Sequence, residues 1–232
     1  MKEIGVGIIG ASPSTPSWAV AAHVPALRAL PGYRLRAVAT SRRASADAAA
    51  AAWSVDAFDD ARALIDHPDV DLVVVAVKVP QHHDLSAQAL SAGKMVYSEW
   101  PLGVNVEEAA HLAELAAAAG VRTVIGLQAR FAPAVRRLRE LVAEGYLGRV
   151  LATILTGSAM GWDAVTSRRH AFLYDITNGV TTLSVSTAHA LDALTYVLGD
   201  IDHVTATLAV GRHEALIAQE NTTVPVTAPR SR

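Results

Sequence analysis

Cysteine is absent from the 232 residues. That excludes disulfides, thiolate nucleophiles and cysteine metal sites, and it suits a cytosolic protein. An excess of one charge is missing too. The 20 Lys and Arg stand against 22 Asp and Glu, for a net charge of −2. No basic field calls for nucleic acid or for an anionic membrane surface. No uninterrupted apolar run reaches the roughly 18 residues that span a bilayer. The first apolar run is short and broken by Gly5, Gly7 and Gly10, so it does not read as a signal peptide. These absences predict a soluble, cytoplasmic α/β protein with neither a nucleic-acid nor a membrane partner.

The most informative stretch is Val6-Gly7-Ile8-Ile9-Gly10-Ala11-Ser12, followed by a polar loop and then Ser17-Trp18-Ala19 running to His23. A parallel strand hands a phosphate-binding loop to a helix N-terminus in this way. Gly10 permits the tight turn. Ser12 is small enough for a pyrophosphate to approach the backbone, and the helix offers unpaired N–H groups to the anion. The motif is degenerate, because Ser12 replaces the second glycine and Pro13-Ser14-Thr15-Pro16 lengthens the loop.

Strands and helices alternate from there to about residue 127. The expected strands are 2–9, 34–40, 71–79, 95–98 and 122–127; the first is apolar nearly throughout, as a central strand buried on both faces is, 71–79 is the most hydrophobic, and 34–40 alternates. The expected helices begin at Ser17, as N-cap, with a kink near Pro25, and continue as 44–53, 59–65, 82–92 and 107–119. Gly93 and Gly120 stop the last two. This alternation predicts a doubly wound parallel sheet. Beyond it the pattern changes. A basic amphipathic helix is expected over 132–144, a β-rich run over 149–157, a long loop over 161–178, a buried helix over 180–198, and a strand over 201–210. The polar tail 222–232 shows no helix.

Several segments, in this order, resemble the Gfo/Idh/MocA oxidoreductases. They are Gly7–Gly10, His23-Val24-Pro25-Ala26-Leu27, Asp71–Ala76 with His82, Ala92-Gly93-Lys94, and Glu99-Trp100-Pro101 in place of Glu-Lys-Pro. Gln128-Ala129-Arg130-Phe131, Gly145–Gly148, Asn178-Gly179-Val180 and His189-Ala190-Leu191-Asp192 follow. The lengthened first loop with Trp-Ala, the Glu-Trp pair and Tyr174-Asp175-Ile176-Thr177-Asn178-Gly179-Val180 resemble the branch of the galactose-regulon repressor. That branch contains a non-enzymatic dinucleotide-sensing regulator as well as oxidoreductases.

The resemblance implies an N-terminal Rossmann domain over 1–125 and a partial open-sheet α/β domain over 126–232. It places Gly10, Ala11, Ser12, Trp18, Ser41, Arg42, Arg43, His82, Glu99, Trp100, Pro101 and Gln128 around a nicotinamide dinucleotide. It assigns Arg130, Asp175 and Asn178 to a sugar or polyol substrate. Arg130 reads equally well as a surface salt-bridge residue. Pro101 is expected after a cis bond, as in relatives. No acid follows the second strand to take a ribose 2′-hydroxyl; Thr40-Ser41-Arg42-Arg43 stands there. Hydroxyls and guanidinium forks suit a 2′-phosphate, which favours NADP, with NAD as the alternative. The competing reading of these residues is a solvated basic loop.

Hydride transfer at a sugar carbon needs a proton donor or acceptor near the reacting oxygen. In the family a lysine, an aspartate and a histidine share that work. Here the first two positions hold Trp100 and Val185, leaving His189, which reads either as the acid–base group or as a satisfied core histidine. Lys78 is a weak substitute for the missing amine. His82 and His83 are adjacent, but no acid or third histidine stands at ligand spacing, so no metal site is expected. Two functions follow: an NAD(P)-dependent oxidoreductase of sugars or polyols, and a non-catalytic dinucleotide sensor acting through a protein partner. Relatives of this kind are longer, so the chain is expected to lack later strands of its second sheet. An uncovered sheet edge then favours self-association through that sheet.

Overall fold

The computed structural model describes residues 3–156 and 161–231. The chain divides into two compact units, Met1–Gly126 and Leu127–Arg232.

The first unit is built on β1 (Ile4–Ile9), β2 (Tyr33–Ala39), β3 (Asp56–Phe58), β4 (Leu72–Val75), β5 (Met95–Ser98) and β6 (Thr123–Ile125). They form one six-stranded sheet in the order β3-β2-β1-β4-β5-β6, with every pair parallel. The order reverses between β1 and β4, and in open α/β sheets ligands bind at that reversal, outside the carboxyl ends of the strands. The connecting helices are α1 (Val24–Ala29), α2 (Arg43–Trp53), α3 (Ala61–Ile65), α4 (His82–Ser91) and α5 (Val106–Ala119). Ile9, Val73 and Val75 belong to one buried cluster with Leu64, Leu90 and Leu112. Val6, Ile8 and Val74 belong to a second with Ala19, Val24 and Ala49. Alternate residues of one strand thus enter different clusters, which is why these strands read as unbroken apolar runs.

Local chemistry adjusts the expected boundaries. The strand over 71–79 ends at Val75, and Pro80 lies in a 3₁₀ turn, Val79–Gln81. The first helix opens as a π turn, Ala19–His23, in which Val24 N–H bonds Ala19 O, and α1 continues from it with Pro25 at its start. Ser17 is not its N-cap residue; that position is Trp18, with no side-chain cap. Ser17 Oγ still accepts a long bond from Val20 N–H at 3.4 Å. Strand β3 has no counterpart in the sequence reading, because Asp-Ala-Phe is too short to show a period.

The second unit holds α6 (Pro133–Ala143), β7 (Val165–Thr166), α7 (Ala188–Leu198), β8 (Leu208–Ala209), β9 (Glu214–Ile217), β10 (Thr222–Pro225) and β11 (Arg230–Ser231). Its sheets are small: β10-β9-β7, with one antiparallel and one parallel pair, and β11-β8. Several expectations are corrected here. Residues 149–156 form no strand, and Gly157 lies outside the described residues. Of 201–210 only Leu208–Ala209 pairs. Alternation describes side chains, whereas a strand also needs a partner for its N–H and C=O groups. The loop over 161–178 contains β7 and 3₁₀ turns at Arg168–Tyr174 and Ile176–Asn178. The polar tail supplies β10 and β11. The helix over 180–198 begins as a π turn, Leu183–Thr187, and neither it nor α7 buries a residue fully. Tyr174, Ala215 and Val226 form a buried cluster in this unit.

Candidate functional site

In the first unit, Gly10 ends β1 at φ +105°. A Cβ there would sit 2.3 Å from Ala76 O and 2.8 Å from Val77 Cγ1. Only glycine fits, since the turn runs against the backbone leaving β4. Ala11 is fully buried behind it, Ser12 is half-buried, and Trp18 is exposed. The loop Pro13–Pro16 turns through Thr15 N–H on Ser12 O. The small residues, the glycine turn and the position at the carboxyl end of β1 fit a dinucleotide pyrophosphate.

At the end of β2, Thr40 Oγ1 meets Ser45 Oγ at 2.7 Å and donates to Arg42 O. Ser41, Arg42 and Arg43 are all exposed. Arg43 is engaged: its Nε and Nη2 lie 2.8 and 2.6 Å from Asp47 Oδ1, one helical turn along α2. That bond holds the guanidinium above the ordinary arginine range. Arg42 is exposed and has no such partner among the described residues.

The turn leaving β5, Glu99-Trp100-Pro101, is gripped by two histidines. His23 Nε2 is hydrogen-bonded to Glu99 Oε1, both side chains being about six-sevenths buried. His82 is buried, with Nδ1 2.7 Å from Pro101 O and Nε2 3.0 Å from Val77 O. The Trp100–Pro101 bond is cis. Gly126 lies close under Glu99; a Cβ there would fall 2.6 Å from Glu99 Oε2. The His23 ring also stands edge-on to Tyr97 at 5.1 Å. Both His82 nitrogens face carbonyl oxygens, so this ring ties two loops together.

Tyr97 gives this cluster a measurable signature. Burial, reinforced by the Glu99 carboxylate, pushes its hydroxyl up to about 12. The folded chain therefore keeps a proton that the unfolded chain releases near pH 10. The stability tied to that proton is complete below pH 10 and is lost as pH rises towards 12. Tyrosinate absorbance during an alkaline titration should show one of the five tyrosines ionising last, and Tyr97→Phe should remove that step.

In the second unit, Gln128 and Arg130 lie in the 3₁₀ turn Gln128–Phe131, with Gln128 exposed. Arg130 forks onto Asp192 of α7: Nε is 3.0 Å from Oδ2, and Nη2 is hydrogen-bonded to Oδ1. The Arg130 and Arg139 guanidinium groups stand 5.5 and 4.2 Å from the Tyr196 ring centroid. His189, Asp192 and Tyr196 follow at i, i+3 and i+7, one face of α7. His189 is half-buried and has no hydrogen-bond partner among the described residues. Val185, in the aspartate position, falls in the π turn before α7. Asp175 Oδ1 accepts Thr177 N–H and Oγ1–H at 2.9 and 2.7 Å, which lowers its carboxyl below the usual range. Asn178 donates its amide to Phe172 O at 2.9 Å.

Gly10–Ser12, Arg42 and the Glu99–Pro101 turn lie in the first unit, and Arg130 is tied to the helix of His189 in the second. His23 and Asp192 were not assigned roles from the sequence. Their signal was their position in His23–Leu27 and His189–Asp192, two segments that carry the resemblance. A cavity of about 690 Å³ opens at the starts of β2 and β3, against Tyr33, Trp53 and Asp56. It lies at the wrong end of the strands for a dinucleotide. Among the described residues no three His, Asp or Glu side chains form a metal-binding group, and no helix is long and apolar enough to cross a membrane.

Residues 4–127 match the profile of the oxidoreductase family with an NAD-binding Rossmann fold, Gfo/Idh/MocA, and residues 133–229 match the Gal80p C-terminal domain. Dehydrogenase aclE of Aspergillus oryzae is 36% identical over 206 residues, 86% of this chain and 56% of that protein. The 1,5-anhydro-D-fructose reductase of Ensifer adhaerens is 30% identical over 84% of this chain and 56% of its own length. The crystal structure of the transcriptional regulator Gal80p from Kluyveromyces lactis superimposes with a TM-score of 0.86 at 26% identity, covering 98% of this chain and 60% of that one. The chain spans about half the length of the curated relatives it matches. With its β1 loop, its strand order and these matches, the chain belongs to the Gfo/Idh/MocA oxidoreductase family, with an NAD(P)-binding Rossmann domain followed by a Gal80p-type C-terminal region.

Proposed function

We propose that this protein is an NADP(H)-preferring oxidoreductase acting by hydride transfer on a sugar or polyol. Its likeness to a dehydrogenase at 36% identity supports the reaction class. The observation that carries the cofactor choice is the end of β2. No acid stands there, and Arg42 is exposed without an ion-pair partner while Arg43 is tied to Asp47. Arg42→Ala is expected to weaken NADPH about tenfold, the scale of one charge-assisted hydrogen bond, and to leave NADH within about twofold. Equal loss for both dinucleotides would remove the 2′-phosphate assignment.

His189 is the acid–base group in this reading, since Trp100 and Val185 replace the family's lysine and aspartate. In a turnover screen on sugars and polyols, His189→Ala should lower kcat by about 10²–10⁴ with dinucleotide affinity unchanged. The wild-type rate in that variant would refute the role. The second reading is a dinucleotide sensor that acts through a protein partner. The same two replacements favour it, as does the likeness to Gal80p. Tight dinucleotide binding with no turnover of any sugar or polyol is its expected result.

A further inference from the structure

The helices flanking β5 bring together three groups that the dinucleotide site does not use. His83 lies in the first turn of α4, and His111 lies two turns into α5. His83 Nε2 and His111 Nδ1 are 2.8 Å apart, and the rings are tilted by only 28° with centroids 5.1 Å apart. On its other side, His83 Nδ1 is 2.9 Å from Asp84 Oδ1. A carboxylate accepts only, so Nδ1 carries a proton, and in the neutral tautomer this leaves the Nε2 lone pair facing His111. The same carboxylate–histidine pairing orients the imidazoles of metal sites and raises their basicity.

We propose that His83 and His111 form a two-imidazole site for a borderline divalent transition metal of the zinc type. The ion displaces the proton shared between Nε2 and Nδ1. Tetrahedral zinc, with bonds of 2.0–2.1 Å, needs its two nitrogens about 3.3 Å apart. The rings must therefore part by about half an ångström from their present 2.8 Å. They can do so because His111 is exposed and the His83 side chain is 22% exposed. Water completes the coordination, since no third protein ligand converges on this point among the described residues. The positive end of α4 opposes a cation, and two acids offset it: Asp84 in that turn, and Glu107 one turn before His111 on the same face of α5. Metal specificity follows from the donors. Two nitrogens favour zinc, nickel or copper over magnesium or calcium.

Calorimetric titration of the full chain with zinc chloride near neutral pH tests this, with magnesium chloride as the control. One saturable equivalent of zinc and no magnesium binding are expected. His111→Ala exposes no core and should abolish that equivalent. Asp84→Asn keeps both imidazoles and should weaken it by about 10–100-fold. A wild-type chain that takes up no zinc would overturn the proposal. So would a His111→Ala chain that binds zinc as well as the wild type, or an Asp84→Asn chain with undiminished affinity.

Discussion

Gly10→Ala is expected to abolish dinucleotide binding and to lower the stability of the first unit by about 3 kcal/mol or more. Two effects add. The φ of +105° is one that a residue with a Cβ rarely adopts. The added carbon also meets Ala76 O at 2.3 Å, a backbone atom rather than a flexible side chain. Neither neighbour can retreat, because Gly10 N–H is bonded to Ala39 O at 2.9 Å and Ala76 N–H to Ile9 O at 3.0 Å. Relief would require breaking the central ladder. Gly32→Ala is the control: its φ is +84°, but nothing lies within 4 Å of the added carbon. It should lose only about 1 kcal/mol, from backbone strain. Denaturant unfolding of the two variants separates crowding from strain. Wild-type stability and binding in Gly10→Ala would contradict the description of this turn.

Arg130→Met should destabilise the second unit by about 2 kcal/mol. Asp192, at 8% side-chain exposure, then loses its two-pronged partner. Breaking a fully buried ion pair costs about 3–5 kcal/mol. The Arg130 side chain is 37% exposed, so water screens part of the attraction and the lower figure applies. Asp192→Leu added to Arg130→Met should recover most of the loss, because no buried charge then stands alone. A double-mutant cycle on unfolding free energies reads this directly. The same pair fixes the helix that carries His189, so Arg130→Met should reduce any turnover while leaving dinucleotide affinity near wild type. A coupling energy of zero in that cycle, with the double variant losing the sum of the two single losses, would show that the pair contributes nothing.

The first unit was legible because its central strands, β1 and β4, are buried on both faces. Leu72–Val75 and Met95–Ser98 announce themselves as apolar runs, and Gly93 and Gly120 end their helices at φ +70° and +64°. The second unit was overread. Residues 149–156 and 201–207 have strand-like side chains but no ladder partner among the described residues, and Leu151 and Ile154 stand 85% and 92% exposed. Pairing is a long-range property that periodicity does not encode. The site divides in the same way. Gly10 and the Glu99–Pro101 turn follow from local sequence. The grip of His23 on Glu99 joins residues 76 apart, and that of Arg130 on Asp192 joins residues 62 apart. Arg43 pairs with Asp47 one helical turn away, an i,i+4 contact that the sequence spacing permits but does not require.

The central claim is that the first unit binds a nicotinamide dinucleotide at the carboxyl ends of β1 and β4, and one titration tests it most directly. NADPH and NADH are added in turn to the wild-type chain, with binding read by calorimetry. Saturable binding of one equivalent, tighter for NADPH, is the predicted result. A folded chain that binds neither dinucleotide would contradict the claim.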